Sequence, residues 1–398
     1  MIQKLVIDGE NRITYENSNE PFNRFDIGEY RAIPLRRSIR GATLNTTKIV
    51  TRRETAMSSH NAKLAQSQPL PPPTEQPNVY PLSWHAHTAK LEEVWDAAQR
   101  ENWDPKALPW DTFDVESYTW EEREAIAYWW TILSVFDASA PPVFAAAFIK
   151  TYEEHEEDPV RRCFFSVTRD EQNHEQMCGL AITKLLGCAS PLEYEPKTEL
   201  GKLAKRNTQW LYYNGGRYWN GYKKAVPKYS LAVLFSSFLM GEIAAATIFH
   251  QMAAGCSEPV FKEAFRNIGR DEGRHMAICM ALMERDYPKL PKEDAAVITK
   301  QVRAGYLFLS AVLFEPPVEF WDIPDDFIEV QRKCEAVARG AGFHIPTYEA
   351  KKENWKKAML NLKGVLDKYG IPFPAIPEVG ISGEEILDID MSEIIPVF

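Results

Sequence analysis

Two stretches of the chain are apolar from end to end but for one acid: Ala125 to Ile149 contains only Asp137, and Tyr229 to Ala253 contains only Glu242. Such a stretch forms a helix buried all round, either at the centre of a bundle or across a bilayer. In either place a lone carboxylate must find a partner or a metal. Apolar residues recur at helical spacing from residue 85 almost to the end, predicting helices over 85–101, 120–153, 160–187, 197–224, 229–254, 258–286, 293–314, 324–340 and 346–369. Thr119 and Glu122 form a capping-box signal at the start of the second, and Pro141-Pro142 predicts a kink or interruption just after Asp137.

Before residue 80 the pattern changes. Lys4 to Ile7 and Arg12 to Tyr15 alternate around Asp8-Gly9, which predicts a short hairpin over 4–15. Residues 16–65 show no sustained period, and the Pro-rich run from Leu70 to Pro77 reads as an extended linker. After Gly370, a Pro-rich segment from Ile371 to Pro377 leads into an acidic tail from Glu384 to Phe398. The expected organisation is therefore an N-terminal extension and linker over 1–82, a helical bundle over 83–370 and a C-terminal tail over 371–398.

Each single-acid helix is followed by a helix carrying the same string. Arg169-Asp170-Glu171-Gln172-Asn173-His174 and Arg270-Asp271-Glu272-Gly273-Arg274-His275 both read RDExxH, and each follows a Pro-Val pair, at Pro159 and Pro259. These are the only two ExxH matches in the chain. ExxH puts its glutamate and histidine about one turn apart on one helical face, so both reach one metal. Two such helices, with one carboxylate from each of two more, supply the six ligands of a two-metal site in a bundle core. The candidates are Asp137, Glu171, His174, Glu242, Glu272 and His275. Mixed carboxylate and imidazole donors suit iron or manganese better than zinc.

Composition narrows the remaining classes. A net charge of -10 disfavours a chain that coats nucleic acid, although Arg36, Arg37, Arg40, Lys48, Arg52 and Arg53 make one locally basic segment. The six cysteines show no CxxC pair, and the N-terminus lacks a secretory pattern, so a cytoplasmic protein with reduced thiols is expected. Charged residues on the ExxH helices, including Arg169, Asp170, Arg270 and Asp271, argue against a membrane span.

At these motifs the chain resembles the ribonucleotide reductase small-subunit-like superfamily of ferritin-like di-iron proteins, over roughly residues 90–285. Within it, DEGRHMA at 271–277 and Gly241-Glu242 are most similar to the hydroxylase alpha subunits of bacterial multicomponent monooxygenases. The resemblance implies an all-α, ferritin-like bundle holding two irons, or a manganese and an iron, bridged by Glu171 and Glu272. It places Asp271 against a ligand histidine and continues that link to Trp103. Where reductase subunits carry a radical tyrosine, seven residues after the first ExxH glutamate, this chain has Cys178. Where the monooxygenases carry an active-site threonine, it has Ala246, with Thr247 next. Cys178 and Thr247 are thus the candidates for catalytic roles.

The implied activity is oxidation of a small hydrophobic organic substrate by dioxygen. The substrate would lie beside the cluster against Leu133, Phe136, Cys178, Phe238 and Phe249. An external electron donor and a homodimeric assembly are expected with it. The alternatives are a radical-generating subunit for a partner enzyme, and an iron-storage or structural protein.

Overall fold

The structure is a computed structural model that describes residues 3–7, 13–17, 79–80, 82–316, 318 and 320–386. Apart from Ile7–Arg12, the chain divides after Tyr80 into two compact units. In the first, strands β1 (Gln3–Ile7) and β2 (Ile13–Asn17) pair in a two-stranded sheet, where the alternating pattern predicts a hairpin. The basic segment, the Pro-rich linker and the tail beyond residue 386 lie outside the described residues.

The second unit is all-α. Among the described residues its helices are α1 (Ala89–Arg100), α2 (Trp120–Asp137), α3 (Ala140–Glu153), α4 (Asp158–Leu186), α5 (Glu199–Lys228), α6 (Leu231–Gly255), α7 (Pro259–Asp286), α8 (Lys292–Leu313), α9 (Phe327–Ala338) and α10 (Tyr348–Asp367). The capping box forms at the start of α2: Glu122 N–H donates to the Thr119 hydroxyl, and Glu122 accepts from Thr119 N–H at 2.8 Å. Proline stands in the first turn of α3, α4 and α7, where its fixed φ suits a helix start and its missing N–H is not needed. The predicted kink or interruption is a full break. Pro141 stands in the first turn of a new helix, so α2 ends at Asp137 and α3 opens at Ala140. Gly187, at φ +67°, ends α4 in the left-handed conformation that costs glycine least.

Helix α6 runs along α7 and α8, while α4 runs along α2 and α3 and meets α7 at the middle of the bundle. The four helices carrying the candidate ligands therefore face one another as two pairs. Aromatic packing ties α2 to α7: Trp130, fully buried, stacks on Phe265 at 5.4 Å, and Trp129 meets the same ring edge-on at 5.7 Å. Burying one such side chain contributes on the order of 1.5–3 kcal/mol. Where α8 passes α6, the terminal methyl of Met240 occupies the space beside Gly305 that a Cβ would take.

Two stretches, Trp120–Glu153 and Leu231–Gly255, are long and apolar enough to cross a membrane. The first is broken at Ala138-Ser139, and the second is the central helix of the bundle, buried along most of its length.

The segment expected to begin a separate C-terminal tail is part of the bundle surface as far as residue 386. Ile371, Phe373, Ile376, Val379 and Ile381 are buried. Thr299 donates to the Pro372 carbonyl at 2.7 Å, and Arg303 grips Glu378 with two bonds of 2.8 and 2.7 Å. Prolines here prevent a helix but leave the intervening apolar side chains free to pack.

Candidate metal centre

All six predicted ligands meet at the middle of the four facing helices, and all are buried. Asp137 ends α2, Glu171 and His174 lie one turn apart on α4, Glu242 is midway along α6, and Glu272 and His275 lie on α7. Donor atoms of Glu171, Glu242, Glu272 and His275 lie within 4.8 Å of one another, as do those of Asp137, Glu171 and His174. His174 Nδ1 is 3.4 Å from Glu171 and 3.6 Å from Glu272. His275 Nδ1 is 3.3 Å from Glu171, 3.4 Å from Glu272 and 3.3 Å from Glu242. Only Glu171 and Glu272 stand near both imidazoles, the place a bridging carboxylate must occupy.

Behind each imidazole stands an aspartate from the opposite helix. His174 Nε2 is 3.2 Å from Asp271 on α7, and His275 Nε2 is 3.6 Å from Asp170 on α4. The aspartate of each RDExxH string thus faces the histidine of the other copy. At His174 an Nε2–H bonded to Asp271 leaves the Nδ1 lone pair facing the carboxylates, which fixes ring orientation for a metal, whereas His275 Nε2 has no hydrogen-bond partner. Trp103 Nε1 donates to Asp271 at 2.7 Å, extending this line away from the cluster. Arg274 joins the two aspartates: Nη2 bonds Asp170 at 3.1 Å and also Asp271, while Nη1 bonds Glu101 at 2.7 Å. Asp170, Arg274 and Glu101 were not expected from the sequence. The repeat itself held the signal for Asp170, because a partner role for Asp271 implies the same role for its duplicate.

The electrostatics of the cluster call for cations. Burial pushes the Asp137 carboxyl up to about 7, against the opposing pull of His174. Burial, then the charge of Glu242, raises Glu272. Burial also acts against the charged form of Glu171, but the neighbouring imidazoles of His174 and His275 outweigh it and hold this group low, at about 2. For His174 burial opposes protonation, and the hydrogen bond to Asp271 with the nearby carboxylate of Glu171 overcomes it, so its pKa is raised. Four carboxylates cannot all stay ionised in so small a buried volume, so the cluster without metal must hold protons that a metal would displace. His174 Nδ1 and Glu272 Oε2 are buried without a hydrogen-bond partner, and both point into the cluster. Oxygen-rich donors, two imidazoles and these orphaned atoms fit two transition-metal ions, as expected for a di-iron site.

A cavity of about 110 Å³ opens on the cluster, with Asp137, Glu171, Glu242 and Glu272 in its wall. The rest is mainly apolar and includes Leu133, Phe136, Phe238 and Phe249, four of the five predicted substrate contacts. Cys178 is not among the lining residues. It is fully buried behind Asp137, and its thiol donates to Asp137 Oδ2 at 3.0 Å. Tyrosine in place of Cys178 therefore has no open space to enter. Cys178→Tyr is expected to lower stability by about 1–3 kcal/mol through overpacking, read from denaturant unfolding of the metal-free chain. Unchanged stability would mean that room exists beside Asp137. Thr247 is also absent from the cavity wall, and its hydroxyl donates to the Ile243 carbonyl at 2.8 Å. Gly241, Ala245 and Phe249 share the cavity side of α6, whereas Thr247, five residues after Glu242, is turned roughly 140° from it.

No family model and no curated protein matches the chain. Among solved structures, it is similar to an R2-like ligand-binding oxidase with aerobically reconstituted metal cofactor after photoconversion. That likeness has 14% identity and a TM-score of 0.46, over 71% of this chain and 94% of the other. An R2-like ligand-binding oxidase with aerobically reconstituted Mn/Fe cofactor gives 15% identity and a TM-score of 0.46, over 70% of this chain and 93% of that one.

Proposed function

We propose that this chain is a di-iron oxidase that activates dioxygen and oxidises a small apolar organic molecule beside its metal pair. The observation that carries the reading is the shared wall: four of the six candidate ligands line a mainly apolar cavity. Asp137, Glu171 and His174 would hold one metal, Glu242, Glu272 and His275 the other, with Glu171 and Glu272 between them. Bound there, two irons would supply the electrons for a two-electron reduction of dioxygen. The chain's own part is to position and to exclude. Asp271 holds the His174 imidazole, Asp170 faces that of His275, and Phe136, Phe144, Phe238 and Phe249 keep bulk water from the reacting face.

Electrons for each turnover would come from an external donor. The line from His174 through Asp271 to half-buried Trp103 supports a point of entry on that side. The same line favours a second reading, in which the site generates a radical for a partner enzyme. Against it, Cys178 takes the place where such subunits carry tyrosine.

One experiment separates these readings. The full chain is loaded anaerobically with ferrous iron, assayed for metal, and then exposed to oxygen under optical and paramagnetic-resonance observation. We expect about two metal ions per chain, consumption of oxygen, and no lasting organic radical. A single zinc, or no metal after iron-replete growth, would overturn the proposal. A persistent radical would transfer support to the second reading.

A further inference from the structure

Ser237 lies on α6, five residues before Glu242, and is 8% exposed. It lines the cavity, yet its hydroxyl has no hydrogen-bond partner. The other serine of the wall is already engaged, since Ser139 donates to the Phe136 carbonyl at 2.8 Å. A buried hydroxyl in an apolar wall bears an unrecovered desolvation cost until a ligand brings it a partner.

Charge and size restrict that ligand further. No lysine or arginine lines the cavity, and its four carboxylates would balance the charge of two divalent ions, leaving no group to pair with an ionised ligand. An apolar protein cavity of roughly 150 Å³ accepts benzene, so a space of about 110 Å³ takes at most about six non-hydrogen atoms.

We infer that the cavity takes a compact, uncharged organic molecule of at most about six non-hydrogen atoms, whose one hydroxyl or carbonyl group hydrogen-bonds to Ser237. This names the substrate class for the oxidase proposed above and rests on that reading. Ser237 is then the specificity-determining residue of the site. A single directional bond on one wall, with apolar contact elsewhere, decides which end of the molecule faces the carboxylates.

The test uses three probes of six non-hydrogen atoms each on the full chain, metal-free and loaded with ferrous iron under anaerobic conditions: cyclopentanol, methylcyclopentane and cyclopropanecarboxylate. Binding is read by ligand-observed NMR titration. One hydrogen bond predicts that cyclopentanol binds the native chain about threefold to tenfold more tightly than it binds Ser237→Ala. Methylcyclopentane should bind both alike, and the carboxylate should bind neither. Ser237→Thr, which keeps the hydroxyl, should keep the preference for alcohol over hydrocarbon. Equal cyclopentanol affinity for native chain and Ser237→Ala would overturn the inference. So would parallel weakening of alcohol and hydrocarbon, or failure of cyclopentanol to bind. Metal content of the same samples keeps the two readings apart. Two ions per chain without a Ser237 effect removes this inference alone, whereas Ser237-dependent binding in a chain that takes no metal removes the oxidase.

Discussion

Replacing Glu272 by alanine should abolish metal binding while leaving the helical content of the chain intact. Glu272 is the α7 carboxylate that stands near both imidazoles, at 3.6 Å from His174 and 3.4 Å from His275. Its loss therefore strips an oxygen from each metal position at once. Removing an outer partner of a metal ligand already weakens affinity by about 10–100-fold, and a shared ligand must matter more. Stability gives an independent readout. A metal that binds only the folded state, present at 100 times its Kd, stabilises that state by roughly 2.7 kcal/mol. The native chain should show such a gain with anaerobic ferrous iron, and Glu272→Ala should show none. Elemental analysis and thermal unfolding with and without iron check both parts. A variant that retains two ions would disprove the bridging position.

The second large effect is expected at Arg274→Met, measured on the metal-free chain. The guanidinium is nearly buried between Asp170 and Asp271, whose side chains are 1% and 0% exposed. Methionine fills much of the volume but leaves Asp170 with only the guanidinium of Arg169, at 2.8 Å, and Asp271 with none nearer than that of Arg270, at 3.9 Å. Removing one partner from a buried ion pair typically costs about 3–5 kcal/mol. Exposed ion pairs, by contrast, typically contribute about 0–1 kcal/mol. Asp271→Asn in the Arg274→Met background should recover part of the loss, since it removes the carboxylate that has lost its close cation. Urea unfolding of the single and double variants measures this, and a loss below about 1 kcal/mol would show that water or protons already compensate the aspartates.

The six candidate ligands were legible because each broke a pattern: two lone acids inside apolar helices, and two glutamate-histidine pairs inside a repeated string. The bundle followed from the same residues, since one metal cluster demands four facing helices. Arg274 was not legible, because nothing in a one-dimensional string tells an arginine that bridges buried aspartates from one that faces water. Thr247 and Cys178 show the limit of reasoning by position. The first is turned away from the cavity by one residue of helical phase, and the second is screened from it by Asp137. Ser237 was hidden for the opposite reason. A serine within an apolar run is ordinary, and only its empty surroundings mark it.

The crossed pairing of Asp170 with His275 and Asp271 with His174 also bears on ancestry. Half of the repeat, one single-acid helix and one RDExxH helix, would present an aspartate and a histidine whose partners lie elsewhere. Two identical halves would complete one another, residue i meeting j and j meeting i, as in a two-fold dimer. Duplication and fusion of such a gene would release the copies from being identical. The position before each histidine records that freedom: Arg274 occupies the space between the two aspartates, where there is need of one guanidinium. Its counterpart Asn173 has become a short amide, donating to the Trp103 carbonyl at 2.9 Å. A self-paired ancestor could encode two arginines there or none; a fused chain can encode one.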